Sequence, residues 1–145
     1  MPSGIARIVR LPYVYIGSIL DRWYEELPWR KQVPAGRRGE QIAARHLKRH
    51  GYLILARNYR ASGGEIDLVA LDERTLVFVE VKLRAGLGFG TPAEAVDFEK
   101  RERIRRAAAG FIAWRGAENL PVRFDVVALI GAGRFLRLEL IKDAF

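Results

Sequence analysis

Residues 76–82 read Leu-Val-Phe-Val-Glu-Val-Lys, an apolar run carrying one carboxylate and one ammonium at its far end. An unbroken apolar run of this kind belongs to a central strand buried on both faces, which demands covering layers above and below it. Residues two apart on a strand project to the same face, so Glu80 and Lys82 leave the run together. A second run, Glu65-Ile66-Asp67-Leu68-Val69-Ala70-Leu71, precedes it across the turn Asp72-Glu73-Arg74. The two are expected to pair as an antiparallel hairpin. Strict alternation would put Asp67 on a face with Glu65 and Val69, opposite Ile66, Leu68 and Ala70. Counting back from a turn centred near residue 73 brings Asp67 opposite residue 79 or 80. Unpaired buried carboxylates cost several kcal/mol, so two side by side require a cation. A hard divalent ion such as Mg²⁺ suits that pair, with Lys82 beside it as acid/base partner or charge stabiliser.

The rest of the chain supplies the layers. A helix is expected from about Gly36 to His50, with Ile42, Ala43 and Leu47 inward, His46 at the stripe's edge and Gly51 as its stop. Tyr52 to Tyr59 reads as a strand, closed by the turn Ser62-Gly63-Gly64. After the central strand, Thr91-Pro92 has the character of a helix start, and the helix should reach Trp114 before Gly116. Its inward stripe would be Ala95, Val96, Ile104, Ala108, Phe111 and Ile112. Val122 to Ile130 and Phe135 to Ile141 read as final strands around Gly131-Ala132-Gly133. The order α-β-β-β-α-β-β predicts an α/β fold: a central mixed sheet flanked by helices.

Charge divides the chain in two. Of the net +8, half lies in residues 1–38, where seven basic residues face three acidic ones. Residues 1–35 are therefore read as a basic, aromatic extension and 36–145 as the domain. The extension's apolar stretch from Leu11 to Leu20 is broken by Pro12 and Gly17 and is too short to span a bilayer. Asp21-Arg22-Trp23-Tyr24 stands where a signal-peptide cleavage site would need small residues. The segment suits an interfacial helix, a docking arm or a nucleic-acid arm; the simplest expectation is an extension that packs on its own domain or frays. A basic excess of this size points to a polyanion, nucleic acid or an anionic membrane. The chain has no cysteine and two histidines, which excludes thiol chemistry and thiolate metal sites and leaves oxygen ligands. His46 and His50 are expected at the surface or core edge, and Asp125 is expected to pair with an arginine or a backbone turn. Lys100-Arg101-Glu102-Arg103-Ile104-Arg105-Arg106 offers a phosphate-tracking helix face. The loop from Arg84 to Gly90 lacks the phosphate-loop pattern and reads as a flap whose Arg84 reaches a phosphate.

Asp67 followed, after twelve intervening residues, by Glu80-Val81-Lys82 resembles the PD-(D/E)xK nuclease signature within an αβββαβ frame. A closer resemblance is to the YraN-like bacterial proteins. It rests on Gly39-Glu40, Asn58-Tyr59-Arg60, Gly64-Glu65-Ile66-Asp67-Leu68-Val69, Phe78-Val79-Glu80-Val81-Lys82 and Arg123-Phe124-Asp125-Val126-Val127, and covers residues 36–145. The resemblance implies a restriction-endonuclease-like core, shared with archaeal Holliday-junction resolvases. By that likeness Asp67, Glu80 and the Val81 backbone carbonyl would hold Mg²⁺ or Mn²⁺, helped by Glu40, and Lys82 would position the attacking water. Ile66 stands where the signature usually has proline. A homodimer and a cytoplasmic location are further expectations.

The sequence thus favours a metal-dependent endonuclease on structured or branched DNA, its backbone held by Arg84, Lys100, Arg101 and Arg105. The rival is a non-catalytic nucleic-acid-binding or recombination accessory module with the same fold. A third reading makes the N-terminal arm dominant, as a peripheral membrane or protein-docking factor.

Overall fold

The computed structural model describes residues 37–84, 96–130 and 136–145. The N-terminal extension, the flap, Thr91-Pro92, Ala95 and the turn at 131–133 lie outside the described residues. So does the side chain of Arg84.

Helix α1 (Arg38–Arg49) leads into strands β1 (Leu53–Ala61), β2 (Gly64–Asp72) and β3 (Thr75–Arg84). Helix α2 (Phe98–Arg115) follows, then β4 (Val122–Ile130) and β5 (Arg137–Ile141). The sheet order is β1-β2-β3-β4-β5; β3 and β4 are parallel and every other neighbouring pair is antiparallel. A mixed five-stranded sheet with a helix on each face is the α/β architecture expected, and it is consistent with a restriction-endonuclease-like core.

The apolar run of β3 occupies the middle strand, as its composition requires. Leu76 and Phe78 pack toward α2, with Ile104, Ala107, Ala108 and Phe111 of that helix. Val77 and Val79 pack toward α1, against Ala43, Ala44 and Leu47. Phe78 is fully buried and meets Phe111 edge-on at 5.9 Å and Phe124 in a stack at 5.6 Å, both favoured ring geometries.

Three expectations need correction. The second long helix does not run on from Thr91, because Asp97 has an extended backbone and serves as N-cap, its Oδ1 accepting the Lys100 N–H at 2.8 Å. Val96 is buried, but ahead of the helix rather than on its stripe. Of the expected final strand, Arg137–Ile141 is strand β5, and Phe135 lies outside the described residues. Ile66 departs from strict alternation, packing under α2 with Val69 while Leu68 and Ala70 pack under α1. The change of face coincides with an unusual backbone in the neighbouring strand. Arg57 pairs with Leu68 and Tyr59 with Ile66, so Asn58 and Asp67 fall between those pairs. Asn58 has φ +49°, a left-handed conformation that asparagine tolerates better than most residues and that breaks the two-residue period locally.

Helix α2 crosses the β1–β2 end at very close range. A Cβ added at Gly64 would stand 2.1 Å from the Arg103 carbonyl oxygen, a backbone atom that cannot turn away. Gly64→Ala is therefore expected to cost about 1–3 kcal/mol by forced displacement of the helix, read as a lower midpoint in denaturant unfolding. An unchanged midpoint would show that α2 can shift freely.

Candidate active site at the fork between β2 and β3

The hairpin turn sets the site's register. Asp72 pairs with Thr75 across a two-residue loop in which Glu73 is left-handed at φ +54°. The ladder then runs through Leu71–Leu76, Ala70–Val77 and Val69–Phe78 to Leu68–Val79. Asp67 and Glu80 are the next residues along, and there the two strands part. Beyond the fork β3 stays paired with β4, from Glu80–Val126 to Arg84–Ile130. The Asp67 side chain takes the place of the next ladder acceptor, its Oδ2 receiving the Val81 N–H at 2.7 Å. Val81 thus joins the site through its amide.

Glu80 is 4% exposed, one of two buried charged residues among those described. Its Oε1 faces two ammonium groups, Lys82 Nζ at 3.4 Å and Lys100 Nζ at 3.2 Å. Its Oε2 is buried without a hydrogen-bond partner. A buried carboxylate oxygen left without a donor is costly and calls for a cation, an ordered water or the proton of the adjoining Asp67 carboxyl, which hydrogen-bonds Glu80 when protonated. Asp67 adjoins it. Burial first, then the charge of Glu80, raises the Asp67 carboxyl from its ordinary range to about 7, against the opposing pull of the Val81 amide. The more distant charge of Glu40 acts in the same direction.

Glu40 lies in the first turn of α1, where Gly39 lets the helix lie against Leu129 and Val81; a Cβ at Gly39 would come within 2.9 Å of Leu129 Cδ1. The Glu40 Oε2 accepts a 2.8 Å hydrogen bond from Asn58 Nδ2. The left-handed residue that twists β1 therefore also ties the outer carboxylate to the sheet. Among the described residues, no three acidic or histidine side chains are gathered tightly enough to cage a metal. The close pair is Asp67 and Glu80, with Glu40 held by Asn58 at their margin.

Of the expected phosphate-tracking residues with described side chains, Lys100, Arg101 and Arg105, Lys100 is the one that meets Glu80. Arg101 Nε donates to the Val96 carbonyl at 2.7 Å, and its guanidinium lies 5.5 Å from the centre of the Phe145 ring. Arg105 pairs with Glu102 at 2.6 Å and also lies over Phe145, at 5.9 Å. Asn58 and the inward course of Lys100 were not anticipated as site features. An asparagine inside a strand-like run was the available signal for the first. For the second it was two basic residues in a helix's first turns, where the macrodipole disfavours them. Asp125 is structural as expected, held by Arg123 and by the Asp143 amide at 3.0 Å. Glu65 pairs with the exposed Arg60 at 3.2 Å. His46 and His50 sit at the end of α1, and His50 is exposed.

Fold and site together define an α/β protein with two adjoining carboxylates, Glu80 buried and Asp67 half-buried, and two lysines at the fork of its sheet. Residues 39–129 match the model of the uncharacterised protein family UPF0102, and the chain belongs to that family. A UPF0102 protein of Nocardia farcinica is 54% identical over 95 residues, 66% of this chain and 75% of the relative. One from Rhodococcus opacus is 50% identical over 111 residues, 76% of this chain and 94% of the relative. One from Chlorobaculum tepidum is 47% identical over 116 residues, 76% and 90% of the two chains. Among the described residues, no helix is long and apolar enough to cross a membrane.

Proposed function

We propose that this protein is a metal-dependent endonuclease of the PD-(D/E)xK superfamily, hydrolysing phosphodiester bonds in branched or otherwise structured DNA. The observation that carries the reading is the convergence of Asp67, Glu80 and Lys82 at one fork, with Glu80 Oε2 buried and unpartnered. The donor set fits a hard cation. Mg²⁺ commonly binds through one or two carboxylates and keeps several waters, so an Asp67–Glu80 pair without a full cage is suitable. Glu40 would add charge from the margin, and the Val81 carbonyl is the backbone ligand implied by the resemblance. Bound there, Mg²⁺ or Mn²⁺ would supply charge stabilisation at the phosphoryl oxygens and a more acidic water.

The chain's own residues supply the rest. Lys82, held at 3.4 Å by Glu80, orients the attacking water and meets the negative charge that develops during in-line displacement. The basic face of α2 holds the backbone of the nucleic acid by charge, which positions it without reading sequence. Arg101 and Arg105, drawn together over Phe145, contribute to that face.

The test is to incubate the full chain with junction, flap, single-stranded and duplex DNA plus Mg²⁺ or Mn²⁺. Metal-dependent cleavage is expected on at least one substrate, falling by about 10²–10⁴-fold in Asp67→Ala and Lys82→Ala. Cleavage that survives either substitution would reject this site. Salt-dependent DNA binding with no cleavage under any metal would favour a non-catalytic binding or recombination accessory module.

A further inference from the structure

Lys100 stands out because the proposed hydrolysis already has its lysine. Two ammonium groups share the single oxygen Glu80 Oε1, and that of Lys100 is the nearer, at 3.2 Å against 3.4 Å. The Lys100 side chain is 30% exposed, close to the 28% of Lys82, so it is largely withdrawn into the site. It is placed there by a defined device: Asp97 caps α2 by accepting the Lys100 amide, fixing the first turn over the fork. A lysine in that turn opposes the helix macrodipole, so its position is a local cost that the Glu80 contact offsets.

Charge counting shows what the second lysine adds. Asp67, Glu80 and Glu40 carry three negative charges when ionised, and a phosphodiester carries one. One divalent cation and Lys82 leave a deficit of one positive charge; Lys100 closes it.

We propose that Lys100 is a displaceable counter-ion of this site, neutralising Glu80 until a divalent cation arrives and then turning to a phosphate oxygen of the nucleic acid. The proposal rests on the nuclease-like reading of the site but assigns a role to a residue outside the Asp–Glu–Lys signature. Lys100 and the cation compete for Glu80, so each weakens the other's hold. The nucleic acid receives the ammonium only once the cation has released it. Cation binding is thereby coupled to substrate binding through one side chain.

The test needs no turnover. Mn²⁺ binding to the full-length protein is measured by calorimetry without nucleic acid, for wild type, Lys100→Ala and Lys100→Gln. Thermal unfolding verifies that each variant is folded, and two substitutions guard against the loss of one. Both variants should bind Mn²⁺ tighter than wild type by on the order of tenfold, because a competitor has gone. A lysine that merely supports the site would give equal or weaker Mn²⁺ binding on removal, which would overturn the inference while leaving the nuclease reading intact. If neither wild type nor variants bind Mn²⁺, both fall. A second arm measures affinity for a DNA junction with and without Ca²⁺. Wild type should gain more affinity from Ca²⁺ than the variants do. An equal gain would overturn the transfer to phosphate.

Discussion

Arg123→Ala is expected to destabilise the protein by about 3–5 kcal/mol, the range for removing one partner of a buried ion pair. Asp125 is fully buried in the first half of β4, and Arg123 reaches it twice, Nε to Oδ1 at 2.8 Å and Nη2 to Oδ2 at 2.9 Å. The same guanidinium donates to Asp72 at 2.8 Å and to the Tyr52 hydroxyl at 3.0 Å. Arg123 therefore ties β4 to the β2–β3 turn and to the segment that enters β1. Its substitution leaves a buried carboxylate with the Asp143 amide as its remaining partner at that oxygen. Urea unfolding of Arg123→Ala and of the paired Arg123→Met/Asp125→Leu variant separates two causes. If the stranded charge is what costs, the double variant recovers most of the loss, because an apolar pair replaces an ionic one at little net cost. A loss below about 1 kcal/mol in the single variant would show the network to be dispensable. Arg123 and Lys142 also hold the Asp72 carboxyl below its ordinary range, Arg123 being the larger influence. That part of the stability is present above the ordinary aspartate range and is lost in strong acid, as pH falls through the lowered value.

Asp67 behaves in the opposite sense, and its effect is the second large one. Its folded-state value is raised to about 7 from 3.8, so between those limits the folded chain holds a proton that the unfolded chain has released. Stability from this group is complete below the unfolded value and is lost as pH rises to about 7. At about 1.4 kcal/mol per unit, the loss amounts to a few kcal/mol. Asp67→Asn removes it: the amide oxygen can still accept the Val81 N–H, and its NH₂ can donate toward Glu80. In chelator-treated protein, Asp67→Asn should unfold at higher urea than wild type at pH 8, with the difference shrinking toward pH 4.5. Excess Mg²⁺ at pH 8 should stabilise wild type and leave the variant unmoved. A difference that is flat with pH would mean that Asp67 is not the strained carboxylate.

The parts legible in the sequence were those set by local period and short turns. The Leu76–Lys82 run was bound to be the central strand, and a tight hairpin turn limited Asp67 to one or two partners. What escaped depended on the third dimension or on single residues with unusual backbones. Ile66 turns to the α2 face beside the left-handed Asn58, which no two-residue period foresees. Thr91-Pro92 has a cap's composition, yet the described helix is capped by Asp97, a stronger N-cap than threonine, six positions on. Lys100 reads in the sequence as one member of a phosphate-tracking helix face; only the crossing of α2 over the sheet turns it toward Glu80.

The two-residue turn at Glu73-Arg74 has a consequence for variation in this chain. Asp67 precedes the last paired residue of β2 by the same count as Glu80 follows the first of β3. The turn works as a ruler measuring equal lengths to both carboxylates. Inserting or deleting one residue there, if the strands re-pair across a two-residue loop, would bring an apolar neighbour opposite Glu80 while leaving every acidic residue in the sequence. Motif matching would then still find the signature in a chain that had lost the pair, so turn length is as much a part of the signature as the letters.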